Sequence, residues 1–248
     1  MKPKIKILGV IIGLLLHSCS AGGITINKPK MPTTANDNSA KPSTTTTAKL
    51  WDFHDLSGWE DATQAGSVNY FIENKNLTIF TRPNTWDRTK IKTTSTYTTG
   101  TYTWRVYVPE MGIGDMASIG AFLYNSNAHE LDYEIGYGKQ SMRNELNAEA
   151  DDLIVSMTSQ GNPHKSHDTK IKRGQWHTFS MELRLNSSGK YKVSWIINGQ
   201  QAATTQLNYG TKSKFKIFCS VENLTFMGDH IPKTKNYALF DFVKYRSN

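Results

Sequence analysis

Residues 191–201 read YKVSWIINGQQ, and this stretch gives the clearest local signal of the fold. Apolar side chains alternate with other residues from Tyr191 to Ile197, which is typical of a strand with one buried face. Asn198 and Gly199 follow, and this pair favours a tight hairpin turn because both residues tolerate a positive φ. The stretch therefore predicts two antiparallel strands joined by a turn at Asn198-Gly199.

Similar short alternating runs recur from residue 50 to the end of the sequence. Leu77–Phe80 and Tyr102–Val108 are two of them, and turn residues such as those of Asn186–Gly189 separate the runs. This part of the chain shows few helical periods, no internal repeat and no sign of a second domain. The sequence therefore predicts an all-β fold, a two-sheet antiparallel sandwich over residues 50–248.

Residues 1–19 are predicted to be a lipoprotein signal peptide. Three lysines lead into an apolar run, Ile7–Leu16, that is too short to span a bilayer comfortably. The run ends at Leu16-His17-Ser18-Cys19, which resembles the lipobox of bacterial lipoprotein precursors and implies a lipid on Cys19. It also implies a location in the cell envelope, anchored to a bacterial membrane on its periplasmic or surface face. An uncleaved anchor and a simple signal peptide stay open as alternatives.

Residues 20–49 are predicted to be a flexible tether, because they are rich in Thr, Ser and Pro and almost lack large apolar residues. The formal net charge of the chain is +8, but seven of its 29 basic residues precede residue 50, against one of its 21 acidic residues, Asp37. Residues 50–248 therefore carry 22 basic and 20 acidic residues. This nearly neutral balance removes the main argument for nucleic-acid binding.

Three acidic residues alternate with two apolar ones in the stretch Glu130-Leu131-Asp132-Tyr133-Glu134. On a strand, the three acids share one face while Leu131 and Tyr133 point to the other. Hydrolysis of a glycosidic bond with retention needs one carboxylate as the nucleophile and one carboxylic acid as the proton donor. A third acid between them can tune both. By itself, the motif favours a solvated acidic face or a cation site over a catalytic one.

The segments around this acidic stretch carry further landmarks in a fixed order. Strand-like residues 118–124 precede it and residues 135–138 follow it. The other landmarks are GTYTWRV at 100–106, GQWHTF at 174–179, WIING at 195–199 and FDFVKY at 240–245. Together with the acidic stretch, they resemble glycoside hydrolase family 16, especially its lichenase-like branch, whose signature strand has the form E-[IL]-D-x-E. The resemblance covers nearly all of residues 50–248.

The resemblance implies a concanavalin A-like β-jelly-roll with substrate lying across the concave sheet. It implies that Glu130 is the nucleophile, Asp132 the assisting acid and Glu134 the general acid/base. The implied activity is that of a retaining, endo-type glycosidase of a β-linked glucan or galactan, by hydrolysis or transglycosylation. No cofactor is required for it, and a monomer is expected. A non-catalytic glycan-binding protein on the same jelly roll stays open, because one fold can host both functions.

The resemblance also implies a set of substrate contacts. Lys92 stands where the lichenase-like branch usually has arginine, and a lysine lacks the planar donor fork of arginine. Glu222 stands where the family often has a tryptophan platform, so a different lining of the cleft is expected. Trp86 and Tyr137 are candidates to replace the lost stacking surface, with a packing role as the alternative. The full set is Asn69, Trp86, Lys92, Phe122, Tyr124, Tyr137 and Glu222.

Four further residues are assigned by the resemblance or by their local pattern. Ser156 and Thr158 are expected on a strand that also faces the cleft, although residues 139–152 form an insertion relative to the family. Asp241 corresponds to a residue that ligates a structural calcium in some members, and no second ligand is identifiable. Cys219 lies in the strand-like run FKIFCSV, which predicts a buried thiol rather than a nucleophile.

Overall fold

Residues 46–248 are described by the computed structural model, and almost all of their regular structure is strand. One short helix, α1 (Gln140–Glu145), follows the eighth strand. The strands are β1 (Ala48–Trp51), β2 (Trp59–Asp61), β3 (Tyr70–Glu73), β4 (Asn76–Thr81), β5 (Arg88–Thr93), β6 (Gly100–Val108), β7 (Ala117–Ser126), β8 (His129–Gly136), β9 (Asp152–Ser159), β10 (Lys165–Lys172), β11 (Gln175–Leu185), β12 (Tyr191–Ile197), β13 (Gln200–Gln206), β14 (Lys216–Asn223) and β15 (Asn236–Arg246).

The strands form two antiparallel sheets. The first sheet has the order β13-β12-β11-β6-β15-β4-β3, and β1 pairs with β15 beside this path. The second sheet has the order β10-β9-β8-β7-β14-β5-β2. Strands that are neighbours in a sheet are often distant in sequence, which is typical of a jelly roll rather than of a simple meander. The predicted two-sheet antiparallel sandwich is confirmed.

The hairpin predicted from residues 191–201 is present in the first sheet. Strands β12 and β13 pair with Ile197 opposite Gln200, so the turn is formed by Asn198 and Gly199. Both turn residues have positive φ, 51° for Asn198 and 81° for Gly199, as a tight hairpin turn requires.

Strand β1 brings the two ends of the described chain together. Ala48 lies opposite Arg246 in the β1–β15 pair, and the Ser247 N–H donates to the Thr47 carbonyl oxygen at 2.8 Å. Ala48 and Lys49, which the sequence assigns to the tether, therefore belong to the first sheet. Because β1 is mostly exposed, it lacks the apolar alternation that identifies other strands.

The predicted signal peptide and most of the predicted tether lie outside the described residues. Cys19 is among them, so its lipidation stays a prediction. Within residues 46–248, no helix has the length and apolar character needed to cross a bilayer.

The core lies between the two sheets and is filled by alternate residues of each strand. In β6, Tyr102, Trp104 and Val106 are fully buried, whereas the residues between them are partly exposed. This is the burial pattern expected of a strand with one face on a core. Cys219 of β14 is also fully buried, which confirms the prediction of a core thiol.

Buried aromatic side chains also join the two sheets by hydrogen bonds. Trp195 Nε1, in the first sheet, donates to the backbone oxygen of Asp132 at 3.1 Å. The Tyr133 hydroxyl donates to the Ser180 oxygen at 2.8 Å and accepts from the Ile196 N–H at 2.7 Å. These bonds satisfy polar atoms that burial would otherwise leave unpaired. They hold β8, the strand with the three acids, against the first sheet.

Candidate active site

Strand β8 lies in the middle of the second sheet, between β7 and β9. Leu131 and Tyr133 are fully buried in the core, so Glu130, Asp132 and Glu134 project from the opposite face, as the alternation predicts. We call this face of the second sheet the acid face. Asp132 is 1% exposed and Glu134 9% exposed, whereas Glu130 is only partly buried. The three acids therefore differ in how far each is removed from water.

Strand β7 places one residue beside each acid, because residues paired across antiparallel strands point to the same side. Gly120 lies opposite Glu134, and a Cβ at Gly120 would lie 2.2 Å from Ser220 Oγ. The missing side chain leaves Glu134 without a bulky neighbour at this position. The three pairs are Tyr124 with Glu130, Phe122 with Asp132, and Gly120 with Glu134.

Strand β9 flanks the acids on the other side. Thr158 pairs with Asp132 and Ser156 with Glu134, so both residues lie on the acid face as expected. The predicted insertion, residues 139–152, contains α1 and leads into β9 without changing which residues of β9 face the cleft.

Hydrogen bonding distinguishes the three carboxyl groups. Ser118 Oγ donates to Glu134 Oε2, and Gln160 Nε2 donates to Asp132 Oδ2 at 2.8 Å. Asp132 Oδ1 is buried and has no hydrogen-bond partner within the described chain. The Glu130 carboxyl makes no hydrogen bond or ion pair to the rest of residues 46–248. Glu130 is thus the acid whose oxygens are left available to a ligand.

A row of cations on β5 faces the three acids across β7 and β14. Arg88, Lys90 and Lys92 alternate along β5 and share the acid face, and Glu222 of β14 lies among them. Glu222 Oε2 accepts from Arg88 Nε at 2.7 Å and from Lys90 Nζ at 2.8 Å. The Glu222 side chain is only 3% exposed. Glu222 is thus held in two ion pairs and does not line the first pocket, and its sugar contact stays a prediction.

Burial raises the pKa of all three acids, to different extents. The pKa of Glu130 is raised to about 7, with Lys90 opposing the rise and Glu222 adding to it. The pKa of Glu134 is raised to about 8, first by burial and then by the charge of Glu222. The pKa of Asp132 is raised well above its usual range by burial and by the charges of Glu130 and Glu134. Of the three acids, Glu130 therefore gives up its proton most readily, and burial favours the protonated forms of Asp132 and Glu134 more strongly.

Two pockets flank the acidic strand. The first, of about 460 Å³, is lined by Arg88, Lys90, Lys92, Phe122, Tyr124 and Glu130, with further residues at its rim. The second, of about 370 Å³, includes Ser156, Thr158, Gln160, Ser166, Asp168 and Phe226. A ligand that occupied both pockets would cross β8 at its three acids. This arrangement is expected where a long ligand is cleaved at an internal bond.

Three of the predicted substrate contacts lie in the first pocket. Lys92, Phe122 and Tyr124 all line it. Phe122 stacks on Phe218 with ring centroids 4.5 Å apart, and the Tyr124 hydroxyl donates to Asn127 Oδ1 at 2.8 Å. The aromatic residues of this pocket therefore form a floor on the acid face beside Glu130.

Three other predicted contacts lie elsewhere. Asn69 is buried, and its Nδ2 donates to Asp87 Oδ2 at 2.8 Å, so its amide serves the packing of the sandwich. Tyr137 lies on the core side of the sheet, with its ring centroid 3.9 Å from the guanidinium of Arg143. Trp86 is 55% exposed in the loop before β5 and lines neither pocket. All three residues thus lie outside the lining of the two pockets, and their sugar contacts stay predictions.

Asp241, the predicted calcium ligand, lies on the first sheet and forms an ion pair. Its Oδ2 accepts from Arg105 Nη1 at 2.6 Å. Within the described residues, the acidic group with metal-ligand spacing is Glu149, Asp151 and Asp152, which does not include Asp241. Lys172 Nζ lies 2.7 to 2.9 Å from all three of those carboxyl groups, so that cluster already has a cation.

Sequence reasoning missed four polar residues of the site. Ser118 and Gln160 bond directly to the acids, and Arg88 and Lys90 form the ion pairs with Glu222. The two cations could have been found, because they alternate with Lys92 on one strand and so share its face. Ser118 could have been found in the same way, because it lies on the same face of β7 as Phe122. Gln160 lies just beyond β9, where no such pattern applies.

No protein-family model and no curated protein matches this sequence. Among solved structures, a β-glucanase of Bacillus licheniformis is similar, with a TM-score of 0.57 and 14% identity over 81% of this chain and 98% of that chain. The catalytic domain of an endo-1,3-β-glucanase (laminarinase) of Thermotoga petrophila gives a TM-score of 0.59 and 13% identity over 81% of this chain and 96% of that chain. A Bacteroides ovatus GH16 protein, solved with an oligosaccharide product, gives a TM-score of 0.54 and 13% identity over 80% of this chain and 99% of that chain. At such low identity the likeness establishes the fold, and this chain has the jelly-roll fold of these β-glucanases.

Proposed function

We propose that this chain is a retaining, endo-type glycosidase of a β-linked glucan or galactan. The observation that carries the proposal is that the three acids share one face between two pockets, with Glu130 lining the first pocket and Glu134 buried beside Ser118. Burial raises the pKa of Glu134 further than that of Glu130, so Glu134 is the better proton donor and Glu130 the better carboxylate. A double displacement needs one carboxylate and one carboxylic acid in this relation. The fold shared with β-glucanases supports a β-glucan as the first substrate to test.

In the first step, a Glu130 oxygen attacks the anomeric carbon while Glu134 gives its proton to the departing glycosidic oxygen. The carbon–oxygen bond to the leaving sugar breaks as the bond to Glu130 forms, which leaves a glycosyl ester and an ionised Glu134. In the second step, Glu134 takes a proton from water as the water oxygen attacks the same carbon and releases Glu130. Two inversions give net retention. A sugar hydroxyl in place of water would give transglycosylation.

The neighbours of the acids support these roles. Ser118 donates to Glu134 Oε2, so it orients this carboxyl group and steadies its ionised form between the two steps. Gln160 holds one oxygen of Asp132. A protonated Asp132, placed between the two glutamates on the strand, keeps a third negative charge out of the site. Its hydroxyl can also donate a hydrogen bond to the Glu130 carboxylate as that residue leaves the sugar, with the proton staying on Asp132.

Glu130→Gln is expected to lower hydrolysis at least about 10⁴-fold, because the amide cannot form the glycosyl ester. The full chain and the variant should be assayed on lichenan, laminarin, agarose, carrageenan and xyloglucan by release of reducing ends. Proton NMR of the first product should show the β anomer before mutarotation.

A non-catalytic glycan-binding role is the alternative. It is favoured by Glu222, whose ion pairs occupy the position of an expected stacking platform. If wild type and Glu130→Gln are equally inert on the five glycans while one of them binds, the glycosidase proposal must be abandoned for the binding role.

Glu222→Gln is expected to move the pH profile of kcat/KM toward lower pH at both ends. Besides burial, the charge of Glu222 raises the pKa of both Glu130 and Glu134, and its loss leaves two cations without their counter-charge. The acidic limb follows ionisation of Glu130 and the alkaline limb follows proton loss from Glu134, so both limbs move the same way, by about 1 pH unit. Glu182→Gln on the first sheet is the control and should leave the profile in place. An unchanged alkaline limb in Glu222→Gln would contradict this account.

A further inference from the structure

The first pocket beside Glu130 is unusual for a neutral-sugar site because of its row of cations. The pocket is lined by Arg88, Lys90 and Lys92. They are alternate residues of β5, so the Cα atoms of successive cations lie roughly 7 Å apart. A neutral sugar offers only hydroxyl groups, for which uncharged donors suffice. Recognition of a neutral sugar therefore does not explain a row of three charged donors.

The carboxylates near these cations do not match them one to one. Arg88 and Lys90 share the single Oε2 of Glu222. Lys92 Nζ lies 3.7 Å from Glu60 Oε1, an oxygen that Lys216 Nζ already holds at 2.8 Å. Four cations thus share two carboxyl groups. Asp61 and Glu130 also line the pocket, but Asp61 Oδ1 accepts from Thr63, and Glu130 forms an ion pair with none of the four cations.

Arg88 and Lys92 keep N–H groups in the pocket that are available to a ligand. Arg88 bonds Glu222 through Nε alone, and its two terminal nitrogens make no hydrogen bond or ion pair within residues 46–248. The Arg88 side chain is 35% exposed and that of Lys92 is 31% exposed. A guanidinium edge and an ammonium group that are partly shielded from water bind a charged oxygen more strongly than a hydroxyl.

An aromatic floor lies beside the cations. Phe122 and Phe218 stack at 15°, and Lys90 Nζ is 5.8 Å from the centroid of the Phe122 ring. Phe122 and Phe218 are themselves buried and offer little surface, but they line the same pocket as the cations of β5, so a sugar in this pocket would have ring substituents near β5. These substituents are the groups that would meet Arg88 and Lys92.

We propose that the pocket beside Glu130 binds a sugar that carries an anionic substituent, a sulfate ester or a carboxylate, through Arg88 and Lys92. The inference rests on the proposed function, because it names the chemical class of that substrate. It makes the pocket a determinant of specificity, in which charge recognition takes the place of a stacking platform.

The test compares matched oligosaccharides in the full-chain Glu134→Gln variant. This background removes the proton donor but leaves the charge of Glu130 in place, so anion binding is not favoured artificially. Calorimetry should compare a neutral β-linked oligosaccharide with its sulfated form and with a uronate-containing form. We expect one anionic form to bind at least about 10-fold more tightly than the neutral one, and added salt to reduce the difference. The sulfate and uronate arms show which anion the pocket takes.

Lys92→Gln and Arg88→Gln should each remove most of that preference, whereas Lys192→Gln, an exposed lysine of the first sheet, should not. Equal binding of neutral and anionic sugars would overturn the inference, and so would an equal loss in the Lys192 control. Hydrolysis of the same sugars by wild type is measured in parallel. If the sugars are hydrolysed but the anionic forms bind no more tightly, only this inference is ruled out. If an anionic form binds more tightly but no sugar is hydrolysed, only the glycosidase proposal is ruled out.

Discussion

Replacing Glu134 by glutamine is expected to lower kcat/KM on a glycan by about 10²–10⁴-fold, while cleavage of an aryl glycoside with an acidic phenol is far less affected. A sugar leaving group needs the Glu134 proton, whereas an acidic phenol departs without one. Burial and the charge of Glu222 raise the pKa of Glu134 to about 8, which favours the protonated form that the first step needs. The glutamine variant keeps the shape of the side chain and can still accept from Ser118, so the comparison isolates the proton.

The second step gives an independent check of the same residue. Without Glu134 as base, water attacks the glycosyl ester slowly, so the variant should release one burst of phenol and then stall. Azide needs no base and should restore turnover, giving a glycosyl azide of retained configuration. Glu130→Gln is the matched control and should show neither the burst nor this product. If Glu134→Gln lost the same factor on both substrates, Glu134 could not be the proton donor.

Trp195→Ala is expected to lower the free energy of unfolding by about 3–5 kcal/mol, the largest effect on stability that we predict. The indole is fully buried between the sheets, and its removal opens a cavity that the surrounding strands cannot fill. It also removes the hydrogen bond from Nε1 to the backbone oxygen of Asp132. Denaturant unfolding followed by far-UV circular dichroism measures the change.

Two further variants separate packing from hydrogen bonding at this position. Trp195→Phe keeps most of the apolar volume and loses the N–H, so it should cost about 0.5–1.5 kcal/mol from the lost hydrogen bond, with a smaller packing loss. Trp86→Ala removes a tryptophan that is 55% exposed and should change stability by less than about 0.5 kcal/mol. A midpoint for Trp195→Ala equal to that of Trp86→Ala would contradict the central packing role of Trp195.

The alternation of residues was enough to predict the sandwich and the face of the three acids, because both follow from local periodicity. The same rule, continued past Glu134, would have placed Tyr137 with Leu131 and Tyr133 on the core side. In the structure the strand ends only at Gly136, and Tyr137 keeps the core orientation.

The remaining misses depend on which strands become neighbours. Glu222 and Arg88 are far apart in sequence, and only the pairing of β14 with β5 brings them into one ion pair. Asn69 likewise meets Asp87 through the packing of a loop against β5. No local pattern records such pairings, so the polar partners of the cleft required the three-dimensional structure.

The pairing of β1 with the end of β15 means that the backbone of this domain is nearly a closed ring. Thr47 and Ser247 are already joined by a hydrogen bond, so a short peptide could link the two ends covalently. New termini could then be opened in an exposed turn such as Ser187-Ser188 without removing a strand. A partner joined directly before Thr47 or after Ser247 would leave from the same corner of the sandwich.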